Sequence, residues 1–294
     1  MEEKIFDKDY FSALKKVNLN INQKLSSGSQ GGRKSKAKGV SVEFSDFREY
    51  ALGDDFRRID WNAYGRLDKL FIKVFMEERE GIFNIFLDSS ASMDFGEKNK
   101  KIMSLRVAGA LTYIALNNLD RVNINTMNEG KLFPLKGGSN SKSFQNIIAN
   151  LSEVEFKGKT NISKSICKSN LKKRGVSIII SDFLDSLGVK ELEKSLRYLA
   201  YNKQEIILIQ VLSEEEINPK IDREVTLIDN ECDEKVKLTL NSRVIEAYKS
   251  ELKKYNKNLE KAVTKYGGAL IKVSTEEKIE EIILKDLSRK GITK

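Results

Sequence analysis

The sequence predicts an α/β protein in which a mainly parallel sheet lies between helices. From residue 82 onward, short apolar runs rich in β-branched residues alternate with amphipathic segments of helical period. This order is typical of a parallel sheet that helices cover on both faces. A hydrophobic fraction of 40% and a charged fraction of 32% over 294 residues are those of a globular protein with a sizeable core.

The first 80 residues differ from the rest in composition. A helix is expected over about 7–18, and the Gly/Ser/Lys-rich segment 26–39 is expected to be an exposed loop. Residues 40–80 are dense in aromatic residues, arginine and aspartate, and only the alternation at 70–75 predicts a strand. We therefore expect 1–80 to be an N-terminal region, largely irregular with some β structure, packed on the main domain.

The elements of the main domain, residues 81–294, follow in order. Strands are predicted over 82–88, 121–127, 176–182, 205–212 and 269–274. Helices are predicted over 100–117, 141–151, 160–173, 189–201, 241–266 and 275–290. Residues 224–240 alternate around a polar centre at 229–234, which predicts a β-hairpin insertion.

The composition argues against several functional classes. The chain contains no histidine, which removes Ser-His-Asp and Cys-His catalysis and histidine-containing zinc sites. Its two cysteines lie far apart and do not indicate a disulfide framework. No apolar run approaches the roughly 18 residues that cross a bilayer, and the charged N-terminus does not read as a secretory signal. A cytoplasmic location is expected.

The net charge of +9 favours attraction to polyanions or acidic partners. Much of the lysine alternates with glutamate on helical faces, which is typical of a solvated surface. The cluster Arg33–Lys38 would gain from counterion release on nucleic acid, but it lacks interleaved aromatic residues. Nucleic-acid binding through the basic surface stays an alternative function.

A candidate metal site follows from polar residues at the ends of strands. Asp88, Ser90 and Ser92 form a D-x-S-x-S pattern directly after the first buried strand. Thr160 precedes a predicted helix, and Asp182 ends a later strand. The carboxyl ends of parallel strands meet at one edge of the sheet, so these three stretches are expected to converge. Carboxylate and hydroxyl oxygens suit a hard cation, with Mg²⁺ preferred and Mn²⁺ or Ca²⁺ as alternatives.

These motifs resemble a known metal site. DSSASM at 88–93, GKTN at 158–161 and SDF at 181–183 are similar to the metal-ion-dependent adhesion site (MIDAS) of von Willebrand factor A (VWA) domains. The resemblance implies a Rossmann-like VWA fold in which Ser90, Ser92 and Thr160 bind the metal directly. It implies that Asp88 and Asp182 act mostly through water. Taken singly, each motif is also explained as a helix cap or an ordinary strand end.

A second resemblance lies upstream. VEFSDFREYALGDDFRRIDW at 42–61 is similar to the signature of bacterial domain of unknown function 58 proteins, and the likeness covers about residues 26–200. It implies a MoxR-type AAA+ ATPase as partner, and a magnesium-dependent adaptor or co-chaperone rather than an enzyme. A magnesium-dependent phosphoryl-transfer enzyme is a further alternative, although the sequence has no P-loop motif.

The charged and aromatic cluster Asp54–Trp61 leaves two interpretations open. Arginine–carboxylate pairs and a packed Trp61 would pin an irregular segment in place. The same residues would also suit a second recognition surface.

Overall fold

The computed structural model describes residues 5–16, 43–67, 69–76, 81–171, 174–185, 187–219, 224–228, 235–239 and 242–283. The predicted loop at 26–39 with its basic cluster, the hairpin turn at 229–234 and the predicted helix beyond 283 lie outside these residues. The elements in chain order are α1 (8–16), β1 (Glu43–Glu49), α2 (Trp61–Leu67), β2 (Phe71–Met76), β3 (Ile82–Asp88), α3 (Lys100–Asn117), β4 (Arg121–Asn128), β5 (Lys131–Gly138), α4 (Phe144–Ser152), α5 (Ile162–Cys167), β6 (Gly175–Ser181), α6 (Gly188–Tyr201), β7 (Gln204–Leu212), α7 (Glu214–Ile217), β8 (Glu224–Ile228), β9 (Lys235–Thr239), α8 (Ser242–Lys265), β10 (Ala269–Ser274) and α9 (Ile279–Glu281).

The chain divides into two compact units, residues 33–80 and the remainder, 1–32 with 81–294. Residues 1–80 were expected to form one N-terminal region, whereas α1 belongs to the larger unit, where Tyr10 and Leu14 are part of the main hydrophobic core. None of the described helices is long and apolar enough to span a membrane.

The larger unit contains a six-stranded sheet in the order β10-β7-β6-β3-β4-β5. Every neighbouring pair is parallel except β4 and β5, which are antiparallel. Within this sheet, the chain enters at β3 and continues through β4 to the edge strand β5. It then returns to β6, next to β3, and continues through β7 to the opposite edge strand, β10. The sheet is therefore doubly wound, with its topological switch point between β3 and β6. The predicted α/β fold with a mainly parallel sheet is confirmed.

Two hydrophobic clusters hold this sheet. The larger cluster joins α1, α3 and α4 to side chains such as Ile85 and Ile180, and the smaller one joins α5, α6 and α8 to Phe86 and Ile179. Because successive strand residues point to opposite faces, the continuous apolar runs of β3 and β6 supply both clusters at once. The carboxyl ends of both strands are buried, so the residues that follow them begin in the interior of the protein.

Strand β5 was not predicted. It follows β4 through the two-residue turn Glu129-Gly130, in which both residues have positive φ angles of 49° and 68°. Such a turn suits a β-hairpin, but Pro134 in the middle of the next strand obscured the pattern. Proline is tolerated here because β5 is the edge strand of this sheet and pairs with β4 alone among the described strands.

Helix α5 is shorter than predicted. It starts at Ile162, since the Asn161 side chain accepts a hydrogen bond from the Lys164 amide at 3.0 Å and caps the helix. It ends at Cys167 rather than continuing to 173. The predicted hairpin is present as the antiparallel pair β8–β9.

The smaller unit pairs β1 with β2 in antiparallel register, although only β2 was predicted. Arg48 forms an ion pair with Asp54 at 2.8 Å, and Asp60 caps α2 by accepting from the Asn62 amide at 2.9 Å. Trp61 does not pack as the anchor that the sequence suggested. Its side chain is 64% exposed and meets Tyr64 edge to face, with 6.3 Å between the ring centroids.

Candidate metal centre

The centre is built on the turn that follows β3. Asp88 and Ser90 are fully buried, while Ser92 is partly exposed. The Asp88 Oδ1 atom accepts a hydrogen bond from the Ser90 amide at 3.0 Å, and the Ser90 and Ser92 hydroxyl oxygens lie 3.2 Å apart. The turn therefore gathers one carboxylate and two hydroxyls, and it reaches the protein surface at Ser92.

A second loop brings Thr160 to this turn. The Ala91 amide donates to the Gly158 carbonyl at 2.9 Å, and the Lys157 amide donates to the Ser89 carbonyl at 2.9 Å. These backbone bonds hold the two loops side by side. As a result, the Thr160 hydroxyl donates to Asp88 Oδ2 at 3.0 Å.

The end of β6 supplies the third part. The Ser181 hydroxyl donates to Asp88 Oδ2 at 2.6 Å, and Asp182 is 1% exposed. Phe183 is buried with a φ of 56°, an unusual conformation for a bulky residue. It is held by the Ser181 oxygen, which accepts from its amide at 3.0 Å, and by the Tyr255 hydroxyl, which donates to its carbonyl. Local strain of this kind is tolerated where the surroundings fix the backbone, and here it orients Asp182.

A buried lysine was not expected at this place. The Lys100 side chain is 1% exposed, and its Nζ atom lies 2.8 Å from Asp182 Oδ2 and 2.6 Å from Glu216 Oε1. The remaining oxygens of both carboxylates are also engaged, since Asp182 Oδ1 accepts from the Leu184 amide at 3.0 Å and Glu216 Oε2 accepts from the Ser213 amide at 2.8 Å. Lys100 therefore links the sheet edge to α7 through a fixed network.

The electrostatics of the cluster are unbalanced. Burial, together with the nearby charge of Asp182, raises the pKa of Asp88 to about 6, against the hydrogen bonds from Ser181 and Ser90 that lower it. Although burial acts to lower it, the pKa of Lys100 is raised above its usual value because Asp182 and Glu216 lie beside it. With Asp88, Asp182, Glu216 and Lys100 all ionised, three carboxylates and one ammonium leave a net charge of −2 in a cluster of which only Glu216 is partly exposed. A divalent cation would offset this charge.

The donor set fits Mg²⁺. Among the described residues, no three acidic or cysteine side chains form a metal-binding group by themselves, so a cation here depends on the serine and threonine hydroxyls. Hydroxyl and carboxylate oxygens are the ligands of hard cations, and Mn²⁺ or Ca²⁺ would use the same atoms. The structure thus brings all five predicted residues together, and their role as metal-site residues stays a prediction.

Sequence reasoning missed three members of the cluster, namely Lys100, Ser181 and Glu216. Lys100 had one usable signal, because it opens α3, where a positive charge opposes the helix dipole. Glu216 is part of a capping box with Ser213, which explained it without reference to the site. Ser181 carried no signal beyond its place at the end of β6.

The surface beside the centre carries exposed apolar side chains. Phe95 is 43% exposed and its ring centroid lies 5.6 Å from Lys100 Nζ. Leu184 and Leu187 follow Asp182 in the next loop and are 40% and 49% exposed. Three large apolar side chains therefore lie in the two loops that follow the strands of the centre.

A family model described as "Protein of unknown function DUF58" matches residues 46–258. The uncharacterized protein Rv1480 of Mycobacterium tuberculosis and the uncharacterized protein Mb1516 of Mycobacterium bovis are each 26% identical over 234 residues, which cover 77% of this chain and 73% of theirs.

Two solved structures are also similar to this chain over most of its length. BatB from Bacteroides thetaiotaomicron superposes with a TM-score of 0.44 and 14% identity over 71% of this chain and 98% of its own. The SpRpn10 VWA domain gives a TM-score of 0.43 with 9% identity over 70% of this chain and 94% of its own.

Proposed function

We propose that this chain, which belongs to the DUF58 family of proteins of unknown function, is a magnesium-dependent protein–protein interaction module. One observation carries the proposal. The residues Asp88, Ser90, Ser92, Thr160 and Asp182 lie at the carboxyl ends of the central strands of a doubly wound sheet, in a cluster whose negative charge exceeds its positive charge. Ligands bind at such strand ends, next to the switch point.

Each of the five residues would have a defined role at the cation. Ser90, Ser92 and Thr160 would bind the cation, and Asp88 and Asp182 would hold the hydroxyls and water around it. When bound, the cation supplies a positive centre that takes a carboxylate oxygen from another molecule. Ser92 is the partly exposed member of the set, so the open side of the centre faces solvent there.

The apolar surroundings favour a protein as the bound molecule. Phe95, Leu184 and Leu187 offer apolar contacts that would exclude water around a carboxylate–metal bond, as the cores of protein interfaces do. We extend the proposal to an Asp or Glu side chain of a MoxR-type AAA+ ATPase, with this chain as its adaptor or co-chaperone. The resemblance of the 42–61 signature supports that choice.

Binding, rather than catalysis, fits the state of the polar groups. The Thr160 and Ser181 hydroxyls both donate to Asp88, and the Lys100 ammonium is held charged between two carboxylates. Asp88 is therefore occupied by donors of the chain itself, and the Lys100 ammonium has no lone pair with which to act as a nucleophile. The cluster Arg33–Lys38, which suggested nucleic-acid binding, lies outside the described residues.

The first test measures metal binding alone. Titration calorimetry of the full chain with MgCl₂ is expected to show one site, and Thr160→Val is expected to abolish it because a direct ligand is lost while the shape is kept. Ser89→Ala is the matched control. Ser89 lies in the same turn, but its hydroxyl donates to the Met127 carbonyl at 3.1 Å and not to the cluster. Unchanged Mg²⁺ binding in Thr160→Val contradicts the proposed centre.

The second test addresses the partner. The purified chain is immobilised and exposed to a purified MoxR-type ATPase, once with Mg²⁺ and once with EDTA. The Asp88→Ala variant is tested in the same way with Mg²⁺. Of these three conditions, retention is expected in the first only, and Ser89→Ala is expected to retain the ATPase as the wild type does. Equal retention in EDTA would show that any contact is independent of the metal.

A further inference from the structure

Lys100 is a buried positive charge in a place that is unfavourable for one. It opens α3, where the helix dipole repels a cation, and its side chain is 1% exposed. Removing an ammonium group from water costs several kcal/mol unless partners compensate. Two carboxylates and the Phe95 ring do so here, with the ring centroid 5.6 Å from Nζ.

The position of Lys100 relates it to the candidate centre directly. Its ammonium contacts Asp182, and the neighbouring Ser181 donates to Asp88 at 2.6 Å, so Lys100 lies on the same side of the sheet as both carboxylates. Without Lys100 the buried cluster would hold three negative charges, and with it the net charge is −2. Glu216 acts in the opposite sense, because it adds one negative charge on the far side of Lys100.

We propose that Lys100 is the resident counter-charge of the metal centre, and that the Lys100–Glu216 pair sets its affinity for a divalent cation. The inference rests on the proposed function. A resident ammonium weakens cation binding by repulsion while it holds Asp182 in place when no metal is bound. Affinity at sites with oxygen ligands depends on the number of ligand charges, so a change of one charge is expected to change Kd measurably.

Four forms of the full chain differ in the summed charge of residues 88, 100, 182 and 216, while the side chains keep nearly the same shape. Lys100→Met gives −3, the wild type gives −2, Glu216→Gln gives −1, and the double variant returns to −2. Titration calorimetry with MgCl₂ is expected to show Kd about tenfold lower for Lys100→Met and about tenfold higher for Glu216→Gln. The double variant is expected to lie within about threefold of the wild type.

The matched controls change the same residue types one or two positions away. Lys101→Met removes a lysine whose ammonium lies over the Phe156 ring, and Glu214→Gln removes a carboxylate that accepts from the Asn218 side chain. Neither group contacts Asp182 or Lys100 in the described hydrogen bonds, so both variants are expected to keep the wild-type Kd.

The outcomes separate this inference from the proposed function. Absence of Mg²⁺ binding in the wild type overturns both. If the wild type binds Mg²⁺ and Lys100→Met binds it more weakly, only this inference is overturned. That result is expected of a lysine with a purely structural role, because its removal would loosen Asp182. If circular dichroism shows that Lys100→Met does not fold, the comparison of Glu216→Gln with the double variant decides. A lower Kd in the double variant supports the counter-charge, and an equal or higher Kd refutes it.

Discussion

The Ser181 hydroxyl makes two hydrogen bonds at the end of β6, and one of them joins β6 to the last residue of β3. It donates to Asp88 Oδ2 at 2.6 Å and accepts from the Phe183 amide at 3.0 Å. Ser181→Ala removes a hydrogen bond to a charged group, which contributes about 1.5–3 kcal/mol. It also leaves the buried Phe183 amide without this acceptor, at a cost of about 1–3 kcal/mol. We therefore expect the free energy of unfolding to fall by about 2.5–6 kcal/mol.

Urea unfolding followed by circular dichroism measures this loss, with the m-value as a check that the unfolded state is unchanged. Ser89→Ala is the control, because Ser89 is equally buried but makes one neutral hydrogen bond, to the Met127 carbonyl. It is expected to cost about 1 kcal/mol. If Ser181→Ala costs no more than Ser89→Ala, the Ser181 hydroxyl does not hold Asp88 as the distances indicate, and the reasoning is refuted.

Mg²⁺ at about 100 times its Kd is expected to raise the free energy of unfolding by about 2.7 kcal/mol, and thermal melts with and without EDTA check this. Asp88→Asn is expected to lose that increment, and an unchanged increment would contradict the placement of the cation at Asp88. Pro134→Val is expected to promote self-association in size-exclusion chromatography, because valine restores an N–H to the free edge of β5. Trp61→Ala is expected to change the free energy of unfolding by less than about 1 kcal/mol, because the indole is 64% exposed; a larger loss in chemical unfolding would show that the indole is packed.

Where an element's apolar pattern is continuous, the sequence predicted its bounds. The strands 82–88 and 269–274 and the helix 100–117 were predicted to the residue. These segments are buried along most of their length, so hydrophobicity alone marks them. Prediction failed at β1 and β5, where alternation is weak and Pro134 breaks the pattern. Pairing with β2 and β4 stabilises these strands, and the sequence of the segment itself does not show its partner.

The candidate centre was also predictable in part only. Its oxygen donors were predictable because each lies beside the end of an element that the sequence marks. Asp88 ends β3, Thr160 lies just before α5, and Asp182 directly follows β6. Lys100 and Glu216 were not predictable, since a lysine and a glutamate on helices are ordinarily solvated. Nothing in the local sequence of either residue shows that α3 and α7 meet at the sheet edge.

The sequence by itself determined the chain order of the five parallel strands and of the main helices, and the oxygen atoms offered at the carboxyl ends of those strands. Both follow from local patterns of hydrophobicity and from the topology that parallel strands impose. Only the tertiary structure decided the charge at those strand ends. Lys100 meets Asp182 across 82 residues of chain and Glu216 across 116, and such pairs form only when packing brings distant segments together and excludes water from between them.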